Sequence, residues 1–334
     1  MKNLFLSVSI VSVLFMSCDD NDTNSKVDDL MVVTTSNTSG KASFTNLSDD
    51  NPVSDNFTLS GTDFDGAYFD NDSDELIVAS RTNNRLEAYD GVNTGLNGGS
   101  TTLELAYFST SDFDSPREIA VSGDKVIVTQ DQSLANGNVS KILVYQKSET
   151  SFTLLNEYTV DFKVWGIHIE GQSLYAVADL TSDIVVFNNF FSNINGAITP
   201  TKRVTIEGLV RTHGLTYSSR DNVMILTDIG NAALDNDGAI IVINGFTDVL
   251  SSTANLGTIA LSNQIKISGF NTHLGNPVDV SYDNVKENIY VAERLFSGGQ
   301  VIAFSKPKVS GNQEPKSFRT EAGVSSIFIY RVKR

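Results

Sequence analysis

From residue 31 to residue 331, short runs of Val, Ile, Leu, Tyr and Phe alternate with stretches of Gly, Asn, Asp and Ser. No apolar spacing of three and four residues is sustained, so the runs read as strands and the polar stretches as turns. The runs also recur in a fixed order. A first strand reads GAYFD at 66–70, EIAVS at 118–122, GIHIE at 166–170, GLTYS at 214–218 and DVSYD at 279–283. After a tight polar turn a second strand reads LIVAS at 76–80, VIVTQ at 126–130, YAVAD at 175–179, MILTD at 224–228 and IYVAE at 289–293. A third reads NRLEAYD at 84–90, SKILVYQ at 140–146, SDIVVFN at 182–188, GAIIVIN at 238–244 and GQVIAFS at 299–305. Successive units start 52, 48, 48 and 65 residues apart, which puts an insertion within 245–272.

The two ends of the chain supply a sixth copy. MVVTT at 31–35 matches the second strand and GKASFTN at 40–46 the third, while the missing first strand is found at the other terminus as SSIFIYR, 325–331. Pairing the termini closes a ring and leaves only short edges, which removes the exposed-edge hazard of an all-β chain. The pattern predicts an all-β fold, a six-bladed β-propeller closed by its N- and C-terminal strands. A pair of β-sandwiches would not repeat one strand order six times.

Three segments carry a family resemblance. SRTNNRLEAYD at 80–90, LYAVADLTSDIVVF at 174–187 and PVDVSYDNVKENIYVAE at 277–293 resemble the NHL-type propeller repeat. The resemblance covers most of 31–331. It implies that the first strand of each unit lines a central channel and that loops meet at either mouth. It says little of function, because propellers host hydrolases, lyases, sugar binders and scaffolds.

The N-terminus follows another logic. Lys2 precedes a thirteen-residue apolar run, Leu4 to Met16, too short to cross a bilayer comfortably and suited to a signal peptide. Leu14-Phe15-Met16-Ser17-Cys18 resembles the lipobox of a bacterial lipoprotein, in the loose form found in Bacteroidota, although Phe15 and Met16 are bulkier than usual. The resemblance implies cleavage before Cys18 and acylation of Cys18. Asp19, Asp20, Asp22, Asp28 and Asp29, set among Asn, Thr and Ser, read as a solvated tether. Acidic residues after the lipid cysteine resemble the signal for export to the outer surface. The expected organisation is a signal peptide at 1–17, an acidic tether at 18–29 and a propeller at 30–334, held in the outer membrane by lipid and facing the exterior.

Composition narrows the partners. Forty acidic against 24 basic residues give a net charge of −16, which disfavours nucleic acid. One cysteine excludes an intramolecular disulfide, and with three histidines it makes a structural zinc site improbable.

Two columns of the repeat are candidates for chemistry. The residues closing the second strands are Thr35, Ser80, Gln130, Asp179, Asp228 and Glu293. They are read first as caps of the turn into the third strand, and second as a polar ring that binds a cation or a sugar. The residues entering the first strands are Asp65, Arg117, Trp165, His213 and Val278, with Arg211 two before His213. Their diversity predicts a ligand site, with Trp165 as a stacking platform and Arg117 as charged donor, against the alternative of packing between blades. The two columns are expected at opposite mouths.

No cofactor is required by the sequence, although calcium fits the oxygen-rich stretches 70–75 and 235–238. No Gly-x-Ser-x-Gly elbow or His-Glu-x-x-His is present. Gluconolactonase-type propellers hold a metal with a Glu, an Asn and an Asp. Asp228 matches that Asp, but Asp65 stands where the Glu is expected and no Asn matches. The reading is therefore a surface lipoprotein whose propeller binds a glycan, peptide or protein. The alternatives are a metal-dependent lactonase or esterase using the channel, and a purely structural scaffold. A catalyst would need buried, clustered carboxylates with displaced pKa values, and a binder an exposed aromatic and polar patch.

Overall fold

The computed structural model describes residues 28–333. The predicted signal peptide, Cys18 and most of the tether lie outside the described residues. The strand expected to begin at Met31 begins at Asp29, so the last residue assigned to the tether already pairs with Val332.

Six antiparallel sheets form the predicted ring, and we number the blades from the first complete one. Blade I holds Phe64–Asp70, Glu75–Ser80, Arg85–Asp90 and Leu105–Phe108. Blade II begins with Pro116–Ser122, blade III with Val164–Glu170, blade IV with Leu215–Ser218 and blade V with Pro277–Asp283. Blade VI joins the C-terminal Val324–Val332, innermost, to Asp29–Ser36, Lys41–Asn46 and Ser54–Thr58. Its register pairs Met31 with Tyr330 and Val33 with Phe328, as the terminal-closure reading requires.

The core is divided into six wedges, one between each pair of neighbouring blades. Leu76 and Val78 face the wedge toward blade VI, whereas Ile77 and Ala79 face the wedge toward blade II. A second strand is thus buried on both faces, which is why it reads as a continuous apolar run. The closing wedge is rich in aromatics, with Phe69 against Tyr330 at 4.8 Å and Phe44 against Phe69 at 5.3 Å between ring centroids. The fourth, outermost strands escaped the sequence pattern. Ser317–Thr320 is four residues long and largely exposed, so it carries little apolar signal, and Leu105–Phe108 is equally short. The insertion within 245–272 contains the helix Phe246–Ser252, whose Phe246 seals the wedge between blades III and IV.

The innermost strands share one irregularity. Their register with the second strand shifts between Asp65 and Ala67, Pro116 and Ile119, Val164 and Ile167, and Pro277 and Asp279. Blade VI shifts at the same end, where Thr35 and Ser36 face Ser326 and Val324, so five blades carry a β-bulge at one mouth, a device common beside functional sites.

Candidate functional site at the bulged mouth

The bulges carry Arg117 and Trp165, the two residues singled out from the sequence. Trp165 is half-buried, with the Arg117 guanidinium carbon of blade II 4.0 Å from its ring centroid. The His213 ring of blade IV lies 3.7 Å from it, inclined by 9°. Because those partners come from the preceding and the following blade, the indole is filled in between blades. This corrects the expectation of an open stacking platform: Trp165 packs against Arg117 and His213 and keeps only part of its surface exposed.

Around this stack runs a belt of ion pairs over four blades. Asp65 faces Arg81 at 3.4 Å and Arg117 at 3.6 Å, and Arg81 also meets Asp63 at 3.3 Å. Arg117 reaches Asp131 at 3.1 Å. Lys163 lies 3.4 Å from Asp131 and 3.9 Å from Asp179. Arg211 grips Asp179 through both oxygens, at 2.6 and 3.0 Å. His213 Nε2 is 3.2 Å from the same carboxylate. Since a carboxylate can only accept, Nε2 carries the proton and Nδ1 the lone pair. That Nδ1 is buried with no hydrogen-bond partner among the described residues. The sequence thus brings Asp65, Arg117, Trp165, Arg211 and His213 together. Val278 instead packs into the wedge between blades V and VI, so the belt stops there.

Electrostatics differ along the belt. Burial pushes the Asp65 carboxyl up to about 6, although Arg81 and Arg117 pull against it. Burial would also raise Asp179, but hydrogen bonds from His213 and Arg211 outweigh it and hold this carboxyl well below its ordinary range. Burial lowers His213, against the pull of Asp179, so the ring is neutral at physiological pH. Four cations facing four carboxylates leave the mouth rich in directed donors and acceptors rather than in net charge.

In the second-strand column Ser80, Gln130, Asp179, Asp228 and Glu293 each bond the backbone of the segment leading to the third strand, as the first reading expects, and Thr35 instead bonds the innermost strand. Ser80 accepts the Asn83 amide, and Gln130 accepts the Asp114 amide. Asp228 accepts the amides of Val210, Arg211 and Gly230, and Glu293 those of Gly275, Asn276, Leu295 and Phe296. Thr35 bonds the hydroxyls of Ser325 and Ser326. Asp179 caps Leu180 and in addition anchors the belt. The column does not lie at the opposite mouth. In an antiparallel hairpin the end of the second strand is beside the start of the first, as Phe64 opposite Ser80 and Pro277 opposite Glu293 show, so both columns share one mouth.

Stretch 70–75 is the hairpin turn, three of its four acids engaged separately: Asp70 accepts the Asp72 amide, Asp74 the Asn93 amide, and Glu75 meets Lys147 at 3.0 Å. In 235–238, Asp237 accepts the Asn231 amide. Asp228 pairs with Lys266 at 3.3 Å. Among the described residues no three His, Cys, Asp or Glu side chains gather in a way that would hold a metal.

Several site residues were missed from the sequence. Lys163 and Asp63 precede Trp165 and Asp65 by the two-residue offset that singled out Arg211, and Arg81 and Asp131 directly follow the capping column. A stronger signal lay in the first position of the repeated first-strand motif in the sequence, which reads Gly66, Glu118, Gly166, Gly214, Asp279. Glycine is needed where blades meet: a Cβ on Gly166 would lie 2.2 Å from the His213 carbonyl oxygen of blade IV. Glu118 and Asp279 break that rule and reach the central channel, whose cavity encloses about 240 Å³. Burial, with the negative charge of Asp279, raises Glu118 well above its usual range, and burial pushes Asp279 up to about 7.

No family model matches the chain, and no curated protein matches it. Solved structures match its fold. A chain of a nidogen/laminin complex superposes with a TM-score of 0.62 at 14% identity, over 91% of this chain and 98% of that one. A protein of unknown function from Bacteroides caccae gives 0.57 at 8% identity, over 90% and 98%. A provisionally named 6-phosphogluconolactonase from Bacteroides uniformis gives 0.55 at 14% identity, over 88% and 83%. At such identities the likeness establishes one thing, that this chain is a six-bladed β-propeller.

Proposed function

We propose that this protein is a lipid-anchored propeller of the outer cell surface that captures a hydroxyl-rich glycan at the bulged mouth. The carrying observation is the belt from Asp65 to Arg211 with the Arg117–Trp165–His213 stack inside it. Alternating guanidinium and carboxylate groups, nearly balanced in charge, suit vicinal hydroxyls, which donate and accept in turn. The anchor rests on the lipobox resemblance ending at Cys18 and on the acidic residues after it. Two structures of similar fold coming from Bacteroides accord with that origin.

Two measurements test the reading. A glycan array followed by titration calorimetry should find a ligand, and Arg117→Ala and Arg211→Ala should each weaken it at least about tenfold, equivalent to about 1.4 kcal/mol. Ser80→Ala, which removes only a cap, should leave affinity unchanged. Equal loss in all three variants would abandon the bulged mouth as the site.

A protein partner is the second reading, favoured by the fold likeness to a chain within a nidogen/laminin complex. Pull-down with the Arg117→Ala protein as control separates it from the first. Hydrolysis in the channel is favoured only by the raised carboxyl groups of Glu118 and Asp279. A panel of lactones and esters, with Glu118→Gln as control, tests it.

A further inference from the structure

The channel below the mouth has its own chemistry. Its cavity of about 240 Å³ is lined by the innermost strands of all six blades, and neither Asp65, Arg117, Trp165 nor His213 contributes to the lining. Glu118 comes from blade II and Asp279 from blade V, opposite positions in a ring of six. Among the described residues no Lys or Arg lines the cavity, so neither carboxylate meets a cation there. Asp279, 7% exposed, accepts the amides of Ile327 and Val280, and Glu118 accepts that of Ile119. His168 also lines the cavity, and its Nε2 is buried with no hydrogen-bond partner among the described residues. Two carboxylates without a counter-cation, beside an imidazole nitrogen without a hydrogen-bond partner among the described residues, leave a polar hollow of negative character. Its other walls include Tyr68, Tyr282 and Phe328.

We propose that this channel is a receptor site for a small organic cation, its ammonium group held by Glu118 and Asp279 against the aromatic walls. Carboxylates supply the charge partner, and aromatic faces attract ammonium ions where they would not replace the oxygen shell of a hard metal ion. Calcium would take six to eight oxygens, and among the described residues no three His, Cys, Asp or Glu side chains are placed to hold a metal ion together. The cavity is smaller than the roughly 300–1,000 Å³ of drug-sized pockets, so the occupant is small. The net charge of −16 favours the approach of cations over anions.

The ionisable groups facing the pair are Asp65, whose charge raises both, and His168, Tyr68 and Tyr282 across the cavity. Burial holds His168 down to about 4, so it adds no positive charge at neutral pH. A bound ammonium must displace the proton that the buried pair retains near neutrality. Affinity therefore rises with pH, by about tenfold between pH 6 and pH 8 for one displaced proton.

The test is calorimetric and NMR titration of the full protein with n-butylamine and benzylamine, against n-butanol and benzyl alcohol as neutral counterparts. Amine binding should be at least about tenfold tighter than alcohol binding. It should release about half a proton at pH 7 and close to one at about pH 6, read from titrations in two buffers of different ionisation enthalpy. It should vanish in Glu118→Gln/Asp279→Asn with cooperative melting retained. Should that double variant not fold, the proton count and pH dependence of the unaltered protein decide the matter. Equal binding of alcohols, amine binding without proton release, or tight calcium binding that amines do not displace would overturn the proposal. Because Arg211 pairs with Asp179 and does not line this cavity, Arg211→Ala should leave amine binding intact, which separates this result from the glycan reading.

Discussion

The indole of Trp165 lies flat against the imidazole of His213, centroids 3.7 Å apart and planes 9° from parallel. This stack, with Arg117 packed on Trp165 as well, joins blades II, III and IV at the mouth. Burial is the main cause of the low pKa of His213. Trp165→Ala should admit water and move His213 toward its ordinary value near 6.5, with Trp165→Phe intermediate. Titration of the imidazole by NMR reads the shift, and an unmoved pKa in Trp165→Ala would show that the stack does not protect the ring.

Asp179 holds Arg211 through both oxygens and accepts from His213. Its carboxyl sits below the unfolded value, so its stabilising contribution is complete above about pH 4 and declines as pH falls through the folded value. Asp179→Asn should cost on the order of 1–3 kcal/mol at pH 7, less than a fully buried pair because Arg211 is 24% exposed. Chemical denaturation at pH 7 and pH 3 should show this cost shrinking in acid.

Asp279 has the opposite sign. Its folded pKa, about 7, lies above the unfolded value, so the native state binds more protons and is stabilised as pH falls from 8 to 5. Asp279→Asn should flatten that slope and raise the melting temperature at pH 8, by on the order of 1–3 kcal/mol in stability. Melting curves across this range check it, and an unchanged slope would place the titrating group elsewhere.

Deleting 323–334 removes the strand Val324–Val332, which pairs with Asp29–Ser36 and carries Phe328 and Tyr330 into the closing wedge. Insoluble or protease-sensitive protein is expected. A truncated chain that melts cooperatively at the parent temperature would contradict closure by the termini.

Cys18→Ala should release the protein from the membrane fraction if Cys18 carries the lipid, since each buried CH₂ of an acyl chain contributes about 0.8 kcal/mol. Protease shaving of intact cells tests the exterior location, which resistance of the propeller would contradict.

The sequence by itself determined the strand order, the number of blades and the closure. These rest on local period and on burial of both faces of the second strands, such as LIVAS at 76–80 and MILTD at 224–228, a signal written into every copy. It also showed the strand-entry column as chemically diverse, and Asp65, Arg117, Trp165 and His213 do converge. Short outer strands such as Ser317–Thr320 left little trace because they are largely exposed. Tertiary structure alone decided that Trp165 is stacked between its neighbours, since inter-blade spacing fixes what lies over an indole face. It also decided that Glu118 and Asp279 share one channel. They belong to blades II and V and face a common space only because the ring closes, a relation that no local pattern around either residue encodes.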